Sequence, residues 1–346
     1  MIKLDTEKLI NWFLQHKRKL PGRDITDPYP IWISEIMAQQ TRMETVKPYY
    51  ERFLKELPTI ESLSLVEDDK LLKLWEGLGY YSRARNLKFA AKTIMEKYDG
   101  IFPTTYEETI QLKGIGEYTA GAILSRAYGL PYAAVDGNVL RVLTRYEANP
   151  IDISLASTKG YYKKQLELLK PSHFGYLNEA LMELGATICC PQIARCMDCP
   201  LKEDCKAHTQ NNVFMYPIKS KKTKVTIHEY TCFFLVDEEQ KIYFEYKEEG
   251  LLKGLYAPYI TEDSISETDV DAYFEKRDIE IQYVLPLNDQ KHIFTHQIWY
   301  MRGYIVYVKN KKNFGGRFYS KEEIENKISI STCFRKFFKE MFKLLY

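Results

Sequence analysis

Four cysteines stand in the pattern Cys189-x6-Cys196-x2-Cys199-x5-Cys205. Thiolates this close in sequence can converge on one small inorganic core without long-range folding, and soft sulfur donors select an iron–sulfur cluster, zinc or copper(I). A zinc ribbon carries two C-x2-C knuckles separated by a longer loop, whereas this chain has one such pair. Cys190 lies outside the spacing and reads as a bystander, and Cys232 and Cys333 stand alone. The opening MIKLDTEKLINWF has acidic residues and no apolar leader. An intracellular location is therefore expected, cytoplasmic for a bacterial source, and a disulfide framework is not.

Two carboxylates and a glycine pair are the other candidates for chemistry. Glu35 lies in Trp32-Ile33-Ser34-Glu35-Ile36-Met37-Ala38-Gln39-Gln40-Thr41, beside the helical face made by Ile33, Ile36, Met37 and Gln40. An exposed helix glutamate is the everyday reading. A carboxyl enclosed among those apolar neighbours would instead have a raised pKa and act as a general acid. Asp136, in Ala134-Val135-Asp136-Gly137-Asn138-Val139, precedes an amphipathic helix. It can cap that helix and also present a carboxylate to a developing cation. Leu112-Lys113-Gly114-Ile115-Gly116 joins two helical patterns, and its glycines allow a tight turn that points backbone amides at a phosphate oxygen.

The elements that must position these groups divide the chain. It has 346 residues, 45% hydrophobic, 14% aromatic and 28% charged, which fits two globular domains and excludes a largely disordered chain. No apolar run approaches the ~20 residues a bilayer crossing needs. The net charge of +2 neither demands nor forbids a polyanionic partner. Residues 1–215 show helical apolar spacing, as in Leu71, Leu72, Leu74 and Trp75. Residues 216–225, with four lysines in six residues, read as a linker. Residues 226–346 read as α+β, with strands at Thr231–Val236, Lys241–Tyr246 and Gln297–Val308 and helices at 267–277 and 331–345.

The cysteine spacing after a helical domain resembles the [4Fe-4S] loop (189–205) of the helix-hairpin-helix DNA glycosylases, and the L-K-G-I-G turn is similar to their DNA-gripping hairpin. With S-E-I-M-A-Q-Q-T, the run from Trp75 to Leu87 (W-E-G-L-G-Y-Y-S-R-A-R-N-L) and A-V-D-G-N-V, the chain resembles the MutY-type adenine DNA glycosylases over about residues 5–210. The resemblance implies a multidomain protein: an all-α helix-hairpin-helix domain with a [4Fe-4S] cluster on Cys189, Cys196, Cys199 and Cys205, then a Nudix-like α+β lesion-recognition domain. It implies a monomer acting on double-stranded DNA with adenine opposite 8-oxoguanine or guanine, and no membrane partner.

It also implies roles. Adenine is flipped out and its N-glycosidic bond hydrolysed. Glu35 protonates the base, Asp136 stabilises or traps the sugar cation, and Tyr118 and Asn138 order the site. Where strand-cutting relatives carry a lysine that forms a Schiff base, this chain has Tyr118, so a monofunctional enzyme is expected. Lys113 belongs to the hairpin turn and is not expected to substitute. Gly114 and Gly116 would hold DNA phosphates; Arg23, Gln40, Thr41, Leu78 and Tyr80 would contact the lesion or support the pocket, Leu78 and Tyr80 as wedges. In the second domain, Phe294-Thr295-His296 matches the family's F-S-H loop, with Thr295 and His296 as lesion contacts. Two features depart from the pattern. The family usually has L-P-W-R, and this chain has Leu20-Pro21-Gly22-Arg23. The 250–258 loop is also shorter. Rival readings are a bifunctional or pyrimidine-mismatch glycosylase of the same superfamily, or a non-catalytic iron–sulfur DNA-binding protein.

Overall fold

The computed structural model describes residues 2–220, 225–309 and 314–345; positions 221–224 of the expected linker lie outside them. The chain forms two compact units, one from Met1–Val66 with Arg85–Lys221, the other from Glu67–Ala84 with Lys222–Tyr346.

The first unit is helical. Its core gathers Leu9, Ile10 and Phe13 from Thr6–His16, Val139, Leu140, Val142 and Leu143 from Gly137–Glu147, and Leu177, Ala180, Leu181 and Leu184 from Phe174–Thr187. Those residues recur every three to four positions, so each helix turns one apolar stripe inward and leaves its polar face for other uses. The first part of the expected linker is fastened to this unit: Ile153 N–H donates to the Ile218 carbonyl at 3.0 Å, and Ser220 donates to Asp152 through its backbone and hydroxyl.

The second unit is built on a seven-stranded sheet among the described residues: β1 (Thr226–Val236), β2 (Ile242–Tyr246), β3 (Tyr256–Ala257), β4 (Tyr259–Thr261), β5 (Ile281–Ile293), β6 (Gln297–Val308) and β7 (Arg317–Tyr319). The order is β3-β2-β1-β6-β5, with β4 on β1 and β7 on β2. β1 runs parallel to β6, and β5 pairs with β6 antiparallel. Alternation sends Cys232, Phe234 and Val236 to one core and Phe233 and Leu235 to the other. The Arg335–Leu345 helix buries Phe337 and Met341 in the first of these, with Phe338 and Phe342 packed at its edge.

Two features differ from the sequence expectations. β5 is not among the strands expected from the sequence; it is an edge strand that holds Pro286 opposite Tyr304 and has a register shift between Leu287 and Gln290, around Asn288-Asp289. The segment Glu67–Ala84, which helical spacing groups with the first half, belongs to the second unit. Lys73 Nζ donates to the Ile324 and Ile328 carbonyls, each at 3.2 Å, and Glu76 accepts from Ile330 N–H at 3.4 Å.

Candidate active site

Four helical segments converge on one cavity of about 430 Å³ in the helical unit. Pro28–Ala38 starts where Asp27 accepts from Tyr29 N–H at 2.9 Å and Pro28 presets the first turn. Ile31, Trp32, Ile33, Ile36 and Met37 are buried. That anchoring turns the carboxyl of Glu35 into the cavity, with 12% of its side chain exposed. Glu117–Tyr128 contributes Tyr118, Ala122 and Arg126, four residues apart and so on one stripe. Phe174–Thr187 contributes Asn178, Glu179, Met182, Glu183 and Ala186, and the start of Gly137–Glu147 contributes Asp136 and Asn138. Glu35, Tyr118, Asp136 and Asn138, identified in the sequence on three separate segments, thus line a single space.

Each carboxyl is held differently. Asp136 caps its helix, with Oδ1 accepting from Val139 N–H at 2.8 Å and Oδ2 accepting from Asn138 Nδ2 at 2.9 Å. Asn138 in turn accepts from Arg141 at 2.8 Å. Glu35 accepts from Arg126 Nη1 at 2.7 Å. Burial pushes its carboxyl above the ordinary range; Arg126 and a hydrogen bond with Tyr118 pull the other way without cancelling it, and Glu179 adds to the rise. The Tyr118 phenol is held well above its usual value by burial first, then by Glu35 and Asp136, so it stays protonated and able to donate. Its hydroxyl also lies 3.4 Å from the Met182 sulfur.

Behind these groups runs a line of alternating charges that the sequence reading did not find. Glu183, 1% exposed, accepts from Arg18 Nε at 2.7 Å and from both terminal nitrogens of Arg23 at 3.2 Å. Burial would raise Glu183, but the hydrogen bonds from Arg18 and the charge of Arg23 outweigh it and hold the carboxyl below its ordinary value. Arg23 Nε donates to Glu179 at 3.1 Å, and Arg126 Nε lies 3.9 Å from the same oxygen. A signal was present: Arg126 follows the buried run Thr119–Ser125, where an arginine needs a partner.

The remaining expected site residues are distributed. Arg23 and Thr41 line the cavity, while Gln40 is exposed and has a left-handed φ of 57°. Gly114, at φ 85°, makes the hairpin turn, and Gly116 precedes Glu117–Tyr128 with no side chain capping that helix, so its first amides are open to an acceptor. Lys113 lies over the Phe89 ring, 4.6 Å from its centre, rather than in the cavity.

Leu78 and Tyr80 fall in the other unit, in a turn where Trp75 Nε1 donates to the Gly79 carbonyl and Arg83 donates to the Leu78 and Gly79 carbonyls, all at 3.1 Å. Leu78 is buried and Tyr80 exposed, the latter with a left-handed φ of 49°. Thr295 and His296 stand exposed in the β5–β6 turn, closed by Phe294 N–H donating to Gln297 O at 2.8 Å.

Cys189, Cys196, Cys199 and Cys205 line one small cavity with Arg145. Among the described residues no three metal-ligating side chains are close enough to form a ready metal group. Four sulfurs lining the same cavity nevertheless suit a group that binds through all of them. Burial pushes the Cys199 thiol up to about 12 and raises Cys196 and Cys205, and the neighbouring cysteines add to each rise, so thiolates here need a cationic core. Arg145 donates to the Cys189 and Cys190 carbonyls and approaches Cys189 Sγ at 3.4 Å. No helix among the described residues is long and apolar enough to cross a membrane.

Comparison with known proteins gives the family. The family model described as HhH-GPD superfamily base excision DNA repair protein matches residues 33–171. The chain is 37% identical over 298 residues to the adenine DNA glycosylase of Buchnera aphidicola subsp. Baizongia pistaciae (strain Bp), covering 85% of this chain and 84% of that one. It is 41% identical over 210 residues to the adenine DNA glycosylase of Homo sapiens, covering 58% of this chain and 38% of that one. Among solved structures, a thermostable thymine-DNA glycosylase superposes with a TM-score of 0.54 at 26% identity, over 59% of this chain and 95% of that one.

Proposed function

The chain belongs to the adenine DNA glycosylases of the HhH-GPD superfamily, and we propose that it is monofunctional and acts on adenine opposite 8-oxoguanine or guanine. The observation that carries the mechanism is the shared cavity of Glu35, Tyr118, Asp136 and Asn138. An adenine turned out of the duplex enters that space, at a cost in stacking that is lowest for a mispaired base. Glu35, whose pKa burial raises, brings a proton to the purine and makes it a neutral leaving group. As the bond to the sugar breaks, positive charge grows on the deoxyribose and the Asp136 carboxylate stabilises or traps it. Asn138 fixes one oxygen of Asp136 and the helix amide fixes the other, so the carboxylate is oriented before the substrate arrives. Water then leaves an abasic sugar in an intact strand, because Tyr118 cannot form the imine that strand cleavage requires.

The open amides after Gly116 would take a backbone phosphate, and Gln40, Thr41, Leu78, Tyr80, Thr295 and His296 would read the lesion side. Cys189, Cys196, Cys199 and Cys205 would hold a [4Fe-4S] cluster, which when bound supplies a rigid cationic core to the loop. The sheet-bearing unit would act as the Nudix-like recognition module.

Single-turnover assays on duplexes pairing adenine with 8-oxoguanine, adenine with guanine, and thymine with guanine, read with and without alkali, test the proposal. Adenine release with strand breaks only after alkali is expected. Thymine release, or breaks without alkali, would overturn the specificity or the monofunctional assignment respectively.

A further inference from the structure

We propose that Arg126 is a positioning residue for the Glu35 carboxyl, and that Gly22, standing where the family pattern usually has tryptophan, is what lets Arg126 reach it. The inference rests on the reading of Glu35 as the proton donor. Gly22 has φ 72°, a left-handed conformation that disfavours any side chain. A Cβ there would lie 2.4 Å from Ser34 Oγ and 2.8 Å from Ser34 Cβ. Ser34 cannot readily give way: it is 2% exposed and its hydroxyl donates to the Ile31 carbonyl at 2.8 Å. The 20–23 loop therefore lies flat on the Glu35 helix, one residue before the acid itself.

That close approach turns the Gly22 carbonyl toward Arg126, whose Nη2 donates to it. Nη1 of the same guanidinium donates to Glu35 Oε1, and Nε faces Glu179. A planar fork fixed at three edges holds its carboxylate partner in one orientation, which a lysine or an apolar residue could not do. The fork leaves the second oxygen of Glu35 for other partners in the cavity. Arg126, Tyr118 and Glu179 act on Glu35 directly; the other titratable or charged groups lining its cavity are Arg18 and Arg23 before its helix, Arg42 and Glu44 after it, Asp136 ahead of Gly137–Glu147, and Glu183 from Phe174–Thr187. Of these Arg126 is the cation bonded to the acid, so it opposes the effect of burial and sets how readily Glu35 takes a proton. A tryptophan at position 22 would be neutral and would displace the loop; in this chain the same wall is polar and charged.

The test uses the full-length, cluster-loaded protein labelled with 13C at glutamate carboxyls, with the Glu35 signal assigned by its loss in Glu35→Gln. In Arg126→Met the Glu35 titration midpoint should move to higher pH. In Arg126→Lys, which keeps the charge but not the fork, it should stay near that of the wild type, while adenine release at saturating duplex slows roughly ten-fold from misplacement of the acid. Gly22→Ala should move the midpoint in the same direction as Arg126→Met, because the fork loses its carbonyl anchor. An unmoved midpoint in Arg126→Met, with thermal melting and cluster absorbance like the wild type, would overturn the inference; Arg126→Gln serves if the methionine variant does not fold. If the midpoint moves but the wild type releases no adenine, the proposed function fails and the Arg126–Glu35 link stands. If adenine is released and the midpoint does not move, the reverse holds.

Discussion

The charged groups of the helical unit's cavity and the polar residues of the β5–β6 turn sit in opposite settings. In the helical unit, Glu35, Arg126, Glu179, Arg23 and Glu183 are enclosed, and each is answered by a hydrogen bond or ion pair. In the sheet-bearing unit the interior belongs to aromatic rings, with Phe233 packed 4.9 Å from Phe274 and Tyr230 packed 4.3 Å from Trp299, while Thr295 and His296 stand in solvent at a strand turn. Enclosure lowers the local dielectric, shifts proton affinities and makes one misplaced oxygen costly, which suits bond breaking. Exposure leaves a side chain with ordinary chemistry and modest energy, which suits contact with a large partner.

The sharpest way to break that comparison is at Glu35. Glu35→Gln keeps the shape and removes the proton, so adenine release should fall by about a thousand-fold or more while mismatch binding persists, as gel shift and single-turnover assays would show. Turnover near the wild-type rate would mean that enclosure serves packing alone.

Next in size is Asp136→Asn, expected to slow release by roughly a hundred-fold, since it loses the charge that faces the sugar. Asparagine caps helices as well as aspartate does, so the melting temperature should change little. A large drop in melting with an unchanged rate would assign Asp136 to the helix rather than to catalysis.

A smaller signature is the pH profile of the wild type. A general acid works in its protonated form, and burial raises the Glu35 pKa above the ordinary carboxylate value. The rate should therefore decline as pH rises through that raised value, and Glu35→Gln should abolish the limb. The smallest effect belongs to the exposed turn: Thr295→Ala with His296→Ala should reduce the preference for 8-oxoguanine over guanine by several-fold, about 1 kcal/mol, with little change in the rate on the favoured pair. A loss as large as that of Glu35→Gln would erase the contrast between the two settings.

What was legible in the sequence follows from the range of the interactions involved. Asp136 could be read because a cap and its helix are neighbours in the chain, and the cysteine loop because all four sulfurs fall between 189 and 205. The Glu35 helix was visible in its apolar spacing. Arg126 was not recognised, because its partners Glu35 and Gly22 lie 91 and 104 residues away and the glycine looked like a loss rather than an opening. β5 carries a proline and an Asn-Asp pair, which are poor strand signals that an edge strand accommodates. The allegiance of Glu67–Ala84 was unreadable because its apolar period is that of any amphipathic helix.

That last segment has a consequence for synthesis. The turn bearing Leu78 and Tyr80 follows a helix whose Lys73 is tied to the Ile324 and Ile328 carbonyls, 251 and 255 positions later. A nascent chain leaving the ribosome carries this turn without those two bonds through most of translation. A premature stop codon before Ile324 would leave every residue around Glu35 and Asp136 intact and still deprive the helix before the turn of both bonds.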